Sequence, residues 1–281
     1  MTGFLTIRTA LQQGTRLLEE GSIIAPRLTA EVLLCHALRC ERPYLYSHSE
    51  NELTQLVWLH YGRYLHQRLC GTPTQYITKK QEFYGRDFYV DPNVLIPRPE
   101  TELVVETALG RLGRTSRVVD IGCGSGAIAV TLQLEIGCTV FATDISAGAL
   151  AVARSNSDRL DANVSLIHAD LLMPFRGRTL DMVVSNPPYI AEGDRASLAP
   201  EVRDHEPALA LFAGDSGNDI YASLIVQAAR VLRPGGFLVL ELGYSSLPEV
   251  RDMLGREWQN VEASPDLAGI PRVLAAELKP Q

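Results

Sequence analysis

The sequence predicts an α/β protein, a doubly wound and mostly parallel sheet with helices on both faces, preceded by a small helical bundle. Three observations predict it. From about residue 117 onward, short apolar runs alternate with helical stretches, the signature of strands joined by crossover helices. Before residue 70 the apolar residues recur at helical spacing instead. Between these regions lie aromatic pairs separated by glycine, a pattern of turns and short strands.

Taken in order, Leu5, Ile7, Leu11, Leu17 and Leu18, then Leu28 to Leu38, then Leu53, Leu56, Val57, Tyr61, Tyr64 and Leu65 read as helices over residues 4–70. Breaks fall at Gly21, at Pro26 and around Pro43. Residues 1–75 are therefore expected to form an N-terminal helical domain. Its apolar positions either pack only on one another or leave a surface that docks a macromolecular substrate. Gly71-Thr72-Pro73 stops the helical pattern, and Tyr76-Ile77, Phe83-Tyr84 and Phe88-Tyr89-Val90, arranged around Gly85, predict a β-hairpin linker over 76–95. The main domain is expected over 96–281. Pro97-Arg98-Pro99 leads into a helix over 100–112, with proline and acidic residues at its start, where both are favoured. Strands follow at 117–121, 139–143, 164–168, 180–185, 237–241 and 272–277, separated by helices such as 126–134, 147–157 and 219–232.

Composition limits what such a protein does. A chain of 281 residues with net charge -7 has room for a main domain and a smaller companion, but lacks the basic surface needed to neutralise many phosphates. Residues 1–75 hold seven Arg, no Lys and six Glu, so the acidity lies in the larger part and no direct nucleic-acid partner is expected. The five cysteines, Cys35, Cys40, Cys70, Cys123 and Cys138, are scattered without C-x-x-C or Cys/His spacing. Reduced thiols, no metal site and a cytoplasmic location are the expectation. Residues Met1–Arg8 contain no continuous apolar segment after a basic start, and no run approaches about 18 apolar residues. Neither export nor a membrane span is expected.

Chemistry enters at Asp120-Ile121-Gly122-Cys123-Gly124-Ser125-Gly126, where an apolar strand runs into a helix through three alternating glycines. Without Cβ atoms such a loop turns sharply and brings its N–H groups close to a ligand at the carboxyl edge of the sheet. The spacing is G-x-G-x-G, with Ala127 next, so it departs from the dinucleotide pattern G-x-G-x-x-G, and no P-loop is present. The next strand ends in Asp144, where a carboxylate accepts ribose hydroxyls. The third ends before Asp170-Leu171, where a carboxylate can accept from an adenine amino group. Any one of these aspartates reads equally as a helix cap or a solvated strand end. It is their place at successive strand ends beside the glycine loop that points to a nucleoside-bearing cofactor. The loop, with Asp120 before its first glycine, resembles motif I of the class I methyltransferases.

The fourth strand ends in Asn186-Pro187-Pro188-Tyr189. An amide nitrogen is a poor nucleophile because its lone pair is delocalised into the carbonyl. Two fixed acceptors, the Asn186 side-chain oxygen and the Pro187 carbonyl, would orient an NH2 group and favour the charge that develops on it. The prolines preset that backbone, and the Tyr189 ring can pack on a flat acceptor group. Read alone, the same four residues are also a turn after a strand.

Together these segments resemble the release factor glutamine methyltransferases, the PrmC/HemK family. The likeness spans nearly the whole chain and includes Gly71-Thr-Pro-Thr-Gln-Tyr76-Ile, Leu95-Ile-Pro97-Arg-Pro-Glu100-Thr-Glu102, the glycine loop, Ser185-Asn-Pro-Pro-Tyr189, Glu206-Pro-Ala-Leu209 and Leu232-Arg-Pro-Gly-Gly236. The resemblance implies a class I methyltransferase fold with a Rossmann-like, seven-stranded sheet. It implies S-adenosyl-L-methionine as cofactor, S-adenosyl-L-homocysteine as product, and the glutamine of the Gly-Gly-Gln motif in class-1 peptide release factors as acceptor. Asp120, Gly122, Cys123, Gly124, Ser125, Gly126, Asp144, Asp170, Leu171 and Asn186 would serve the cofactor. Asn186, Pro187, Pro188 and Tyr189 would bind the glutamine amide, with Asn186, Pro187 and Tyr189 catalytic, and the segment from Pro97 to Glu102 would either wall the site or simply link domains. Other readings share parts of this pattern. A ribosomal-protein glutamine methyltransferase would differ in the front domain, an adenine-N6 nucleic-acid methyltransferase carries the same Asn-Pro-Pro-Tyr, and a cofactor-binding scaffold would lack turnover.

Overall fold

The computed structural model describes residues 5–280; the first four residues and residue 281, included in the expected front and main domains and in the reading of Met1–Arg8, lie outside the described residues. The chain divides into two compact units, Met1–Lys79 with Pro200–His205, and Lys80–Ala199 with Glu206–Gln281.

The first unit contains helices α1 (Ile7–Glu20), α2 (Pro26–Leu38), α3 (Arg42–Ser47), α4 (Gln55–Leu69) and α5 (Thr74–Thr78). Helix α1 opens on a capping box, in which the Thr6 and Thr9 side chains each accept the other's backbone N–H and so satisfy donors that the first turn leaves free. Ile7, Leu11 and Leu18 of α1, Leu33 and Leu34 of α2, and Tyr61 and Leu65 of α4 share one core. Glu31 is buried in this unit and takes hydrogen bonds from Arg27, Arg42 and Tyr46, the pairing that a buried charge requires. Tyr76 and Ile77 lie in α5 rather than in a strand, because Pro73 starts a helical turn there and both side chains are buried.

The second unit begins with an antiparallel hairpin of β1 (Gln81–Phe83) and β2 (Arg86–Phe88), turned by Tyr84 and Gly85, both at positive φ. A 3-10 turn at Pro99–Thr101 leads into α6 (Glu102–Leu109), which ends sooner than the sequence suggests, at Gly110. There follow β3 (Arg117–Ile121), α7 (Ala127–Ile136), β4 (Thr139–Asp144), α8 (Ala147–Arg159), β5 (Val164–His168), β6 (Leu180–Ser185), α9 (Pro200–His205, grouped with the first unit), α10 (Asp219–Val231), β7 (Leu232–Glu241), α11 (Leu247–Met253), β8 (Trp258–Pro265) and β9 (Pro271–Leu278).

The seven strands run in the order β5-β4-β3-β6-β7-β9-β8, parallel up to β7, with β9 antiparallel to both of its neighbours. This is the mostly parallel, doubly wound sheet that the alternation predicted. Strand β3 shows how one sheet serves two cores. Val118 packs with residues of α6 and α7, while Val119 and Ile121 pack with residues of α10 on the other face. Strand β8 was not foreseen, and β7 starts earlier than expected, running through Pro234-Gly235-Gly236 with an irregularity opposite Leu180 and Met182.

Candidate active site

Strand order reverses at β3: the chain winds outward through β4 and β5, then returns to add β6 and β7 on the other side. Ligands of open α/β sheets bind at such a switch point, beyond the carboxyl ends of the strands. Ile121 stands opposite Ser185 in the ladder, and the Ser185 hydroxyl donates to the Ile121 carbonyl at 2.7 Å. Gly122 and Asn186 are thus the first residues beyond two neighbouring strand ends. Both line a cavity of about 290 Å³.

On the β3–β4 side, Gly122, Cys123, Gly124, Ser125, Asp144, Asp170 and Leu171 line the cavity. Gly122 and Gly124 have φ of +67° and +52°, and a Cβ added to either would meet nothing within 4 Å. The loop therefore offers backbone rather than side chains to a ligand. The Gly124 N–H donates to Asp144 Oδ2 at 2.9 Å, and the Ser146 N–H donates to Oδ1 at 2.8 Å. Both oxygens are oriented, yet each keeps a lone pair, which suits a carboxylate that must accept hydroxyl donors. Ser146 in turn caps α8 by accepting from the Ala149 N–H. Leu171 has φ +47°, an uncommon conformation for a residue with a Cβ, and its carbonyl accepts from Thr143 Oγ1 at 3.2 Å. Burial holds the Cys123 thiol well above its ordinary pKa, so this side chain is a neutral wall of the cavity.

On the β6 side, Asn186 and Pro188 line the cavity. Asn186 Nδ2 donates to Thr101 Oγ1 at 3.1 Å, which commits the nitrogen edge of this amide to the protein and leaves its oxygen at the opposite edge. Thr101 is buried at the end of the 3-10 turn. Glu241 is 3% exposed at the end of β7; burial pushes its carboxyl up to about 7, against the pull of the Thr101 hydroxyl and the nearby Arg272 and Arg98. The remaining wall is clasped from two distant segments. The Ile96 N–H and the Arg98 guanidinium both donate to the buried Glu206 carboxylate. Beyond Tyr189, the Ile190 N–H donates to the Leu211 carbonyl at 3.0 Å and the Ala213 N–H to the Ile190 carbonyl at 2.9 Å.

Four of the residues singled out in the sequence do not line this cavity. Asp120 is 1% exposed and turned beneath the loop, where its Oδ2 accepts from the Ala129 N–H in α7; burial, then the nearby Asp144 charge, raises its carboxyl to about 7. It therefore braces the loop from beneath. Gly126 has already entered the cap of α7 with φ +80°, and a Cβ on it would come within 3.3 Å of Ala153. Pro187 is buried, and the Tyr189 ring packs over Gly243, where an added Cβ would lie 2.9 Å from its Cδ2. Conversely, Thr101, Glu206 and Glu241 were not singled out. Thr101 and Glu206 lie within segments that carry the family resemblance, but an acidic residue closing a strand, as Glu241 does, reads as solvated.

Among the described residues no group of three or more His, Cys, Asp and Glu is placed to hold a metal ion, and no helix is long and apolar enough to cross a membrane. The oriented carboxylate and the exposed backbone of the glycine loop fit a cofactor with a ribose and an adenine.

Known proteins resemble this chain over most of its length. Two family models match, one described as the PrmC N-terminal domain over residues 9–78 and one as the methyltransferase small domain over residues 99–202. The release factor glutamine methyltransferase of Koribacter versatilis is 44% identical over 274 residues, covering 96% of this chain and 98% of that protein. The protein of the same name from Moorella thermoacetica is 42% identical over 279 residues, covering 97% and 98%. In fold, a methyltransferase from Pyrococcus furiosus matches with a TM-score of 0.55 at 21% identity, over 71% of this chain and 91% of that one.

Proposed function

The chain belongs to the release factor glutamine methyltransferase family, and from that premise we propose that it methylates the side-chain amide nitrogen of the glutamine in the Gly-Gly-Gln motif of class-1 peptide release factors. S-adenosylmethionine, when bound, supplies a methyl group activated by a positively charged sulfur; the products are N5-methylglutamine and S-adenosylhomocysteine. The observation that carries this reading is the anchoring of Asn186 by Thr101 at the edge of the cavity that the glycine loop and Asp144 also line.

The division of labour follows from the two sides. Asp144 would hold the ribose, the backbone of Gly122 to Ser125 would lie along the cofactor, and Asp170 and Leu171 would bound the adenine. Asn186 accepts one N–H of the glutamine amide through Oδ1, and the family resemblance assigns the other to the Pro187 carbonyl, although Pro187 is buried and lies outside the cavity lining in this structure. With both hydrogens held, the nitrogen faces the methyl, and its growing positive charge lies against two oxygens. Once the nitrogen–carbon bond has formed, the nitrogen sheds one proton to water, a step for which we assign no base. The Tyr189 ring packs over Gly243. Such a substrate places the enzyme in the cytoplasm.

Incubation with methyl-labelled S-adenosylmethionine and purified release factor, ribosomal protein or DNA tests the reading. The expected result is label in the release factor alone, localised by peptide mass spectrometry to the Gly-Gly-Gln glutamine. Label confined to ribosomal protein or DNA would replace this assignment with the corresponding alternative.

A further inference from the structure

Leu171 stands where the chain changes direction sharply. Asp170 and Leu171 line the cavity, whereas Leu172, the next residue, is wholly buried in the core that β3, β6 and α10 share. The backbone makes this turn with Leu171 at φ +47°, a conformation that a bulky side chain keeps only where its surroundings impose it. The peptide group joining Leu171 to Leu172 shows what imposes it. Its carbonyl accepts from the Thr143 hydroxyl of β4 at 3.2 Å, and its N–H donates to Gln227 Oε1 of α10 at 3.1 Å. Both ends of one peptide are thus gripped by side chains from two different elements. Just beyond it, the Arg230 guanidinium, also on α10, donates to the carbonyls of Leu172 and Phe175 at 3.0 Å each and holds the following turn on the same helix.

The two grips differ in kind. Thr143 is buried in β4 and lines the cavity itself, whereas Gln227 lies outside the lining. A backbone N–H needs an acceptor, so the Gln227 amide must point its oxygen, and not its NH2 group, at Leu172. Without that oxygen the Leu172 N–H loses its partner, and rotation of the peptide, with Leu171 relaxing to negative φ, is the way it finds another. Such a rotation draws Leu171 and the adjoining Asp170 away from the cavity wall. We infer that Gln227 is a positioning residue for the base of the cofactor, holding the Leu171–Leu172 peptide in the orientation that presents Asp170 and Leu171 to an adenine. The inference rests on the cofactor placement proposed above and deepens it: selectivity for adenine is set in part by a side chain that does not itself line the cavity.

The test uses the full-length protein and calorimetry with two ligands, S-adenosylhomocysteine and S-inosylhomocysteine, in which an oxo group replaces the adenine amino group. The wild type is expected to bind the first roughly tenfold or more tightly than the second. Q227M keeps the length of the side chain but offers no oxygen. It is expected to raise the Kd of S-adenosylhomocysteine by roughly 5–30-fold and to shrink the preference between the two ligands to about threefold or less. Q227E keeps an oxygen for the Leu172 N–H, and with it most of the affinity and the preference. A merely structural Gln227 would weaken both ligands equally and leave their ratio unchanged. That result, a Q227M Kd within about twofold of wild type, or a Q227E as weak as Q227M overturns the inference while leaving the cofactor placement intact. If urea unfolding shows that Q227M does not fold, Q227A is measured in its place with the same expectations, and failure of both to fold assigns Gln227 to the fold instead. A wild type that binds both ligands equally removes the adenine from Asp170 and Leu171, and this inference with it.

Discussion

Gly124 finds its partner Asp144 only 20 residues along the chain, whereas Asn186 is anchored by Thr101 from 85 residues away, and Glu206 holds the backbone of Ile96 across 110. The glycine-loop side of the cavity is built from the ends of the successive strands β3, β4 and β5, from backbone groups and the carboxylates Asp144 and Asp170. The acceptor side is assembled from segments that meet only when the whole sheet has formed.

Mutations at the two sides should separate them. The largest effect is expected from Asn186→Ala, which removes the acceptor oxygen: kcat should fall by roughly 10²–10³-fold, the scale of losing one preorganised transition-state partner, with the cofactor Kd nearly unchanged by calorimetry. Loss of cofactor binding as well would mean that the two sides are not separable. Asp144→Ala is the mirror case and should weaken cofactor binding by about 1–3 kcal/mol while kcat at saturating cofactor stays within a few fold. An unchanged Kd would remove Asp144 from the cofactor.

The smallest effect is expected from Asp120→Asn, read as stability. The folded carboxyl titrates near 7, against an ordinary value of 3.8. Below about pH 4 the group is protonated whether the chain is folded or not. As the pH rises toward 7 the unfolded chain releases the proton that the folded protein keeps, so this residue's contribution drains away, and the loss is complete above the folded value. Urea unfolding at pH 5, 6 and 8 should show a shallower decline in the variant than in the wild type, with the residual slope due in part to Glu241. Cofactor affinity at pH 8 should change by less than about threefold; a large loss would restore Asp120 to direct contact.

The same contrast explains what could be read from the sequence. Strands β3 to β6 are short apolar runs bounded by clear breaks, and their order and handedness follow from general rules of parallel sheets. Gly122 to Ser125 and Asp144 form a pattern within a few dozen residues, so their convergence was foreseeable. Strand β8 was not, because Trp258–Pro265 is a polar edge strand with little apolar signal. Nor was the first part of β7, where Pro234-Gly235-Gly236 reads as a turn but is held in the ladder beside β6. Thr101 and Glu241 escaped notice for another reason. A threonine beside two glutamates and a glutamate ending a strand look like surface residues until tertiary packing buries them.

The pairing of Ile121 with Ser185 also bears on how such a protein can change its target. Because Gly122 and Asn186 each follow a residue of one rung shared by two adjacent strands, their spacing is inherited from the interstrand distance of a sheet rather than from the surrounding loops. Lineages can therefore remodel those loops to admit a different polypeptide without retuning the methyl-transfer distance, whereas a one-residue slip of β6 would turn Asn186 to the wrong face and silence every version at once.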